Sequence, residues 1–448
     1  MTLNKIVYSL IAHLYTAVFV AIIFVYTTGL QLIKRSFGIR SIISAQINDH
    51  KHKYGDFYIP SKIQYKFRFI LFFRSMLNNP FLFKKKAQRL HSEFLSHLIE
   101  KKYEVIENGK SPDYLDFDYI LDNSDWFYEN YVKIQKPVVI RGVNYEKDLW
   151  TIEYIRSIWG NNPMMVHDLA NKGKSHKMTL NEMIEKNLKG DGCYYMSFNR
   201  SFFESNRKLI KKSFSIDKIN NVLKRNYLFG ESVKIEAQLF ISTKCNNEKI
   251  KHSTSSMHCS NNFNMFYNIK GRKKWILIDP EFSICCYPTN HLRNMAGYLS
   301  LIKSPSLLKP EINKYPLYKY VPKYEVDLEE GDVLFVPCWW WHSVESLTDE
   351  SLSLAIRFGH QAFGSLFPIT LKDPNNLFTT LQVMYPMFKK EVYTTIYNKI
   401  YSKITKYDGS FLRAKDITQE TDKDKSLDHV LKNKKTYNIW VEESKKIE

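Results

Sequence analysis

The chain has few cysteines, and they lack the spacing of a metal or disulfide framework. Its six cysteines are Cys193, Cys245, Cys259, Cys285, Cys286 and Cys338. None of them forms a CxxC pair, so a zinc ribbon is not indicated. A disulfide scaffold is not indicated either, because such scaffolds are small, cysteine-dense secreted domains and this chain has 448 residues. The pattern favours reduced thiols and a cytosolic environment.

Acidic residues are absent between Phe57 and Ser92, although this stretch is rich in basic residues. The basic residues are Lys62, Lys66, Arg68, Arg74, Lys84, Lys85, Lys86 and Arg89. Within it, residues 65–90 mix aromatic and basic side chains. This composition fits a segment that lies on an anionic membrane surface. It equally fits a helical linker that packs Phe69, Phe72, Phe73 and Leu77 on a folded domain. Nucleic-acid binding is not expected, because no reader module is recognisable.

Charge is also absent from the twenty residues Leu14–Ile33, and the apolar run extends back to Ile6. A helix needs about 20 apolar residues to cross the hydrocarbon core of a bilayer. The run is longer than a signal-peptide core, and Lys34-Arg35 follows it instead of a cleavage site. We therefore predict a transmembrane helix over residues 6–33 rather than a signal peptide or a buried helix. Lys34, Arg35 and Arg40 place the rest of this single-pass protein in the cytoplasm by the positive-inside rule.

The remainder of the chain divides by composition. Residues 34–112 form a basic juxtamembrane segment, 113–370 the main folded domain, and 371–448 a C-terminal helical region with a charged tail. The C-terminal helices are a possible surface for oligomer formation. In the main domain, short apolar runs bounded by turn residues predict strands near 136–143, 162–170, 192–199, 233–242, 331–337 and 351–358. Residues 150–159 have helical spacing, and 265–278 read as a hairpin that turns at Gly271. Many short strands favour a mainly β fold.

Two histidine segments stand out within these strands. They are HCSNNFNMFYNIKGRKKWILIDP, which begins at His258, and GDVLFVPCWWWHSVESL, which contains His342. Two histidines and a carboxylate on barrel strands can hold one face of an Fe(II) octahedron. Position 260, two residues after the first histidine, is Ser instead of a carboxylate. By itself a histidine near an apolar strand is more often a hydrogen-bonded residue than a ligand.

The surrounding residues resemble the JmjC/cupin-8 group of 2-oxoglutarate oxygenases, particularly the branch with the asparaginyl hydroxylase that inhibits hypoxia-inducible factor. The first motif appears as His258-Cys259-Ser260, Asn264, Gly271, Lys273 and Pro280. The second runs from Gly331-Asp332 through Pro337 to Trp340-Trp341-His342, and Lys136–Gly142 resembles an opening strand. The resemblance covers about residues 116–367. It implies a double-stranded β-helix (jelly roll) of the JmjC type with flanking helices.

The resemblance also implies cofactors and site residues. Fe(II) and 2-oxoglutarate would be bound, with His258 and His342 as metal ligands. Lys273 matches the lysine that pairs with the distal carboxylate of 2-oxoglutarate. Tyr195 and Ser255 match hydroxyl donors to that carboxylate, and Asn264 matches a polar residue near the metal.

The departure from the family pattern at Ser260 leaves several outcomes open. The protein is either an iron- and 2-oxoglutarate-dependent hydroxylase of a protein side chain or an inactive pseudo-oxygenase that binds a partner or ligand. Two histidines and 2-oxoglutarate could still hold iron, or a halide could occupy the space, as in related halogenating oxygenases. Arg357 stands where the hydroxylases carry a smaller residue, so its guanidinium could bind an anion or fill the metal space. Restoring Asp at position 260 is expected to strengthen metal binding.

Overall fold

The computed structural model describes residues 57–359 with gaps, together with Val18. The gaps are 77–81, 133, 144, 170–173, 200, 224–233, 247–254, 261–262, 289–296 and 303–311. The elements from residue 57 onward lie in one compact unit, residues 20–386. Apart from Val18, the predicted transmembrane segment 6–33 falls outside the described residues, as does the predicted C-terminal region 371–448, and both remain predictions. None of the described helices is long and apolar enough to cross a membrane.

Two β-sheets form the centre of this unit. The described strands are β1 Asp113–Asp116, β2 Val138–Arg141, β3 Pro163–Asp168, β4 Lys174–Thr179, β5 Tyr194–Asn199, β6 Lys234–Ser242, β7 His258–Ser260, β8 Phe263–Lys270, β9 Lys273–Ile278, β10 Gly297–Leu299, β11 Tyr324–Leu328, β12 Val333–Val336, β13 Trp341–Ser346 and β14 Ser351–Gly359. The nine-stranded sheet has the order β1-β2-β12-β8-β14-β6-β5-β3-β4, and the five-stranded sheet the order β10-β7-β13-β9-β11. The mainly β prediction is confirmed.

Eight of these strands build a jelly roll. Strands β12-β8-β14-β6 form one antiparallel four-stranded layer and β7-β13-β9-β11 the other. Along the chain, β6, β7, β8 and β9 alternate between the two sheets, as do β11, β12, β13 and β14. This connectivity is typical of jelly rolls, in which two sheets enclose one core.

Helices flank the two sheets, as expected from the sequence. They are α1 Ser61–Met76, α2 Lys84–Glu100, α3 Phe117–Asp122, α4 Ser124–Phe127, α5 Ile152–Trp159, α6 Leu180–Lys189, α7 Ser201–Ser205, α8 Arg207–Ser213 and α9 Ile216–Leu223. Their ends follow local sequence signals. Thr179 and Glu182 form a capping box at the start of α6, and Gly190 ends that helix with φ +77°.

The basic stretch before residue 92 is folded as α1 and α2. Ile63, Phe67, Ile70 and Leu71 of α1 are buried, whereas Phe69 is 48% exposed. The linker hypothesis is therefore correct that this segment packs on the domain but wrong about Phe69. Its other residues, Phe72, Phe73 and Leu77, have side chains outside the described part of the chain. Periodicity explains the difference, because Phe69 is two positions from Phe67 and points away from the buried helix face.

The buried core residues of the jelly roll show which face of each strand points into its interior. Phe266 and Ala355 of the large sheet belong to the same buried cluster as Trp275 and Leu277 of the small sheet. Side chains alternate between the faces of a strand, so every second residue from these positions also faces inward. The inward set includes Gln238, Ser242, Asn264, Lys273, His342, Ser346, Ser351 and Arg357. The interior thus combines apolar bulk with polar and basic groups.

The predicted hairpin at Gly271 is wrong in one respect. Strands β8 and β9 form where expected and are joined by a tight turn, but they are not paired. Strand β8 pairs with β12 and β14, whereas β9 pairs with β11 and β13. The turn therefore carries the chain from one sheet to the other. Local turn chemistry cannot distinguish a hairpin from such a crossover.

Gly271 provides a stability test of this crossover. Its φ is +81°, and an added Cβ would meet the Glu350 carbonyl oxygen and Thr348 Oγ1. Gly331 has a similar φ of +89° but nothing within 4 Å of an added Cβ. Strain of this type costs on the order of 1–3 kcal/mol. We expect Gly271→Ala to lower the free energy of unfolding in urea by more than Gly331→Ala does. Equal losses would contradict the described packing of the turn.

Candidate metal and anion site

The two predicted histidine ligands lie side by side on neighbouring strands. His258 of β7 is the register partner of His342 of β13, and their ring centroids are 4.2 Å apart. Each Nδ1 is 2.8 Å from a carbonyl oxygen two residues earlier, that of Ser256 for His258 and that of Trp340 for His342. A carbonyl can only accept, so Nδ1 carries the proton of the neutral ring. Both Nε2 atoms are then left with a lone pair.

Both imidazoles are held neutral. Burial lowers the pKa of His258 to about 4, and the charge of Arg357 adds to this effect. Burial also lowers the pKa of His342 well below its usual range, helped by His258 and by Arg357. The Arg357 guanidinium donates to the hydroxyl of Ser260, two residues after His258 on the same strand. The histidine pair therefore offers two acceptors next to a fixed positive charge.

Arg357 contacts Ser260, the residue at the position where the family pattern would put a metal-bound carboxylate. Its Nη1 donates to Ser260 Oγ at 3.2 Å, and its side chain is 9% exposed. On β14 its register partners are Glu236 of β6 and Asn264 of β8. The histidines, Ser260 and Arg357 thus converge at one end of the jelly roll.

This donor set does not fit Fe(II). A facial Fe(II) site needs two imidazoles and a carboxylate, and a neutral hydroxyl is a weak replacement. Among the described residues, no group of three His, Cys, Asp or Glu side chains could hold a metal ion. The guanidinium on Ser260 also brings a positive charge to the place of a dication, which opposes metal binding.

Lys273 forms the second charged centre of the interior. It is 2% exposed, and its Nζ donates to Ser346 Oγ and Ser351 Oγ, each at 3.0 Å. Ser351 Oγ in turn lies 2.7 Å from Ser242 Oγ. Burial lowers the pKa of Lys273 to about 7. Over the part of the chain that the structure describes, no carboxylate forms an ion pair with this lysine. A buried ammonium among hydroxyls fits the carboxylate of an organic anion.

The other predicted site residues lie around these two centres. Tyr195 on β5 is the register partner of Ser242 and packs against the jelly-roll core, which places it near Lys273. Asn264 on β8 is the partner of Arg357, and its Oδ1 is buried with no partner among the described residues. Ser255 makes a backbone contact. Its hydroxyl accepts from the Val344 backbone N–H at 2.9 Å, so it fixes β13 beside the histidines.

Several polar residues of the interior were not predicted. Ser242, Ser346 and Ser351 surround Lys273, and two further buried polar atoms face inward without a partner among the described residues. These atoms are Gln238 Oε1 and Trp275 Nε1. The Trp275 ring also stacks on His342 at 5.6 Å. A signal was present in SLSLAIRF, where Ser, Ser, Ala and Arg alternate with larger apolar residues. Such alternation marks a strand whose one face is small and polar.

Comparisons with known proteins agree with this architecture. The family model described as "Cupin-like domain" matches residues 124–364, more than half of the chain. HSPB1-associated protein 1 homolog of Danio rerio is 34% identical over 119 residues, which cover 27% of this chain and 24% of that protein. HSPB1-associated protein 1 of Homo sapiens is 33% identical over 91 residues, 20% of this chain and 18% of that protein. The similarity therefore spans a quarter or less of the length of these relatives.

A second relative is similar over a longer stretch. The tRNA wybutosine-synthesizing protein 5 of Homo sapiens is 26% identical over 243 residues, which cover 49% of this chain and 70% of that protein. JmjC domain-containing protein C of Dictyostelium discoideum is 31% identical over 141 residues, 31% of each chain.

Proposed function

Because this chain belongs to the family of proteins with a cupin-like domain, we propose that it derives from Fe(II)/2-oxoglutarate-dependent protein hydroxylases and retains their 2-oxoglutarate pocket beside a degenerate metal site. In this proposal the protein binds 2-oxoglutarate, or a dicarboxylate of similar shape, and acts as a ligand-responsive binding module at a membrane. The family usually binds Fe(II) and 2-oxoglutarate. The observation that carries the proposal is the buried Lys273 ammonium among serine hydroxyls.

Lys273 supports anion binding for an energetic reason. A buried charge is costly unless it is paired, and hydroxyls compensate an ammonium less well than a carboxylate does. The serines Ser346 and Ser351 orient the ammonium, while Ser242 and Tyr195 surround the same end of the interior. A carboxylate at this end would accept from the ammonium and from neighbouring hydroxyls. Lys273 is therefore assigned to the distal carboxylate of the ligand.

Active hydroxylation is the second candidate. The observation that favours it is the histidine pair, because two Nε2 lone pairs on adjacent strands are suited to a metal. When bound, Fe(II) with 2-oxoglutarate would supply the oxidising chemistry. The chain itself supplies no carboxylate at position 260, and Arg357 opposes the dication. We therefore rank the enzyme below the binding module.

The two candidates differ in one experiment. The full-length protein is titrated with 2-oxoglutarate by calorimetry, and succinate formation is then followed with Fe(II) and ascorbate present. We expect the unaltered protein to bind 2-oxoglutarate saturably. Its succinate formation should not exceed that of the Lys273→Met variant. Formation of many succinate molecules per chain would show that the protein is an enzyme and would contradict the binding module. Absence of binding by 2-oxoglutarate and by glutarate would refute both candidates.

The membrane location is part of the proposal. We propose that residues 6–33 anchor the chain and that the basic helices α1 and α2 face anionic headgroups. Exposed Lys62, Lys66 and Phe69 follow one face of α1, and Lys85, Lys86 and Arg89 are exposed at the start of α2. Each such cation near an anionic surface contributes about 1 kcal/mol.

The anchor and the basic face can be tested separately. We expect the full-length protein to stay in the pellet after alkaline carbonate extraction, because a spanning helix resists high pH. A chain without residues 1–50 should leave the pellet but bind vesicles with phosphatidylserine at low salt, and lose that binding at high salt. Full-length protein with Met1 intact in the carbonate supernatant would contradict the anchor.

The macromolecular partner is proposed to be a protein. The printed names of the relatives associate one group with HSPB1 and another with tRNA wybutosine synthesis. The basic residues of α1 and α2 fit a membrane surface in our proposal, and no nucleic-acid reader module is recognisable in the sequence. Crosslinking that recovers RNA instead of protein from the full-length chain would overturn this assignment.

A further inference from the structure

Cys193 and Cys245 lie at the same end of two paired strands. Strand β5 begins at Tyr194, directly after Cys193, and β6 ends at Ser242, three residues before Cys245. The two strands are antiparallel, and Tyr195 is the register partner of Ser242. Because the strands run in opposite directions, the residue before β5 and the loop after β6 meet at one end of the pair. The fold therefore brings together two cysteines that are distant in sequence.

Asn187 of α6 holds both of these chain segments in place. Its buried side-chain Nδ2 donates to the Tyr194 carbonyl oxygen at 2.8 Å and to Thr243 Oγ1 at 3.0 Å. Its Oδ1 accepts from the Tyr194 N–H at 2.7 Å, and its carbonyl oxygen accepts from the Asn246 N–H at 3.3 Å. Buried hydrogen bonds of this kind keep a segment in one arrangement. Asn187 is thus bonded to residues beside both cysteines, which fixes the two positions relative to each other.

The two thiols are in contact. The Cys193 thiol donates a hydrogen bond to the Cys245 sulfur. The Cys245 thiol in turn donates to the carbonyl oxygen of Gly192, the residue before Cys193, at 3.5 Å. The sulfur of Cys245 is therefore next to both the side chain and the backbone of the Cys193 segment. Two sulfurs in contact need only a small change in side-chain torsion to reach the ~2 Å of a disulfide bond.

The pair has one accessible and one enclosed thiol. Cys245 is partly exposed, whereas Cys193 is buried. Burial raises the pKa of the Cys193 thiol, and the hydrogen bond to Cys245 adds to this effect. Cys193 therefore stays protonated, and an oxidant that arrives from solvent meets Cys245 first. An accessible cysteine beside a second cysteine that can resolve it is typical of reversible redox sites.

We propose that Cys193 and Cys245 are a modification site, which forms a reversible disulfide when hydrogen peroxide is the oxidant. The Cys245 sulfur attacks the peroxide, the O–O bond breaks, and a sulfenic acid forms with release of one water. The Cys193 sulfur then attacks the Cys245 sulfur, the S–O bond breaks, and the Cys193 proton leaves with the hydroxide as a second water. The two thiols lose two electrons and two protons, and a small dithiol restores them.

The disulfide would join the ends of β5 and β6. It uses none of the groups assigned to the ligand, so it is independent of the proposed function. Disulfides in a reducing cytosol are usually transient and respond to oxidation. We therefore expect the protein to interconvert between a reduced form and a form in which these two strand ends are covalently linked.

The test is peptide mapping of the folded full-length protein by mass spectrometry. The protein is treated with excess hydrogen peroxide, catalase removes the oxidant, and the remaining thiols are alkylated under denaturing conditions. We expect the Cys193–Cys245 crosslink in more than half of the chains and its loss after treatment with dithiothreitol. The other four cysteines are all buried and serve as internal controls that should remain thiols; they are Cys259, Cys285, Cys286 and Cys338.

Serine variants assign the two roles. Cys193→Ser should leave a sulfenic acid on Cys245 that dimedone traps, whereas Cys245→Ser should leave Cys193 as an unmodified thiol. Peroxide treatment that produces no Cys193–Cys245 crosslink in the folded protein would overturn the proposal, as would a crosslink of Cys245 to any other cysteine. If a variant does not fold, the crosslink map of the unaltered protein still decides.

Discussion

The double variant Ser260→Asp/Arg357→Asn is expected to bind Mn(II) at least ~100-fold more tightly than the unaltered protein, a gain of about 2.8 kcal/mol. Asp at position 260 supplies the anionic oxygen that two imidazoles lack. Asn at position 357 removes the positive charge that lies on Ser260. Together the changes would produce the two-histidine, one-carboxylate donor set that suits divalent transition metals.

Each single variant should gain much less. With Ser260→Asp alone, the new carboxylate lies within reach of the Arg357 guanidinium, which is already 3.2 Å from the Ser260 hydroxyl, and forms an ion pair with it. The sequence alone predicted a clear gain from this single change, and the structure reduces that expectation. With Arg357→Asn alone, the third ligand is still missing. The two changes should therefore be strongly non-additive.

A variant of the histidine pair is the control for this gain in Mn(II) affinity. Adding His342→Ala to the double variant should abolish the tighter Mn(II) binding, because it removes one ligand and leaves the new carboxylate in place. Electron paramagnetic resonance of free Mn(II) gives the affinity of the unaltered protein, the two single variants, the double variant and the triple variant. Tight binding by Ser260→Asp alone would show that the Arg357 side chain does not compete for position 260.

Lys273→Met is expected to weaken 2-oxoglutarate binding by at least ~100-fold. Methionine has a similar length and keeps the buried volume filled, but it has no charge for the distal carboxylate. Lys270→Met is the matched control, since Lys270 lies on β8 and pairs with Glu350 at 3.0 Å near the surface. Calorimetry of the three proteins measures the loss. Unchanged affinity in Lys273→Met would place the ligand elsewhere.

The same substitution should not destabilise the fold. In the unligated protein, burial lowers the pKa of Lys273 to about 7, below that of an unfolded lysine. Between pH 7 and the unfolded pKa near 10.4, the unfolded state therefore binds more protons, and stability rises with pH. Lys273→Met should flatten this rise in urea unfolding curves. A steeper rise in the variant would contradict the assigned burial of the lysine.

Ligand binding should show the opposite pH dependence. The carboxylate needs the protonated ammonium, so 2-oxoglutarate affinity should fall as pH increases above about 7. Binding at pH 8 should take up close to one proton, measured by calorimetry in buffers of different ionisation enthalpy. The titratable neighbour is Tyr195, whose pKa burial raises above the usual range, so it stays neutral in this window. Affinity that is constant to pH 9 would exclude Lys273 as the charged anchor.

Sequence patterns predicted the strands of this fold better than their pairing. Strand β14 was readable from SLSLAIRF and β12 from GDVLFVP, because both carry continuous apolar or alternating runs. The relation of β8 to β9 was not readable, since a tight turn at Gly271 serves a hairpin and a sheet crossover equally well. Which sheet a strand joins is decided by long-range pairing, such as that of His258 with His342.

The candidate site was also only partly predictable from the sequence. The family motif identified Lys273 and the histidines, and the absence of a carboxylate at position 260 was visible in the sequence. The contact of Arg357 with Ser260 was not, because 97 residues separate them and only the jelly roll brings them together. The serines around Lys273 were also missed, since single serines carry no motif until strand register aligns them.

The most direct test of the account is an Mn(II) titration of the full-length protein at saturating 2-oxoglutarate, followed by the resonance signal of free Mn(II) and compared with His342→Ala. We predict that 2-oxoglutarate is bound and that both proteins leave the same amount of Mn(II) free, because the histidine pair lacks its carboxylate and Arg357 binds Ser260 at that position. If the unaltered protein binds one Mn(II) per chain and His342→Ala does not, the metal site is intact and the proposal of a degenerate site is contradicted.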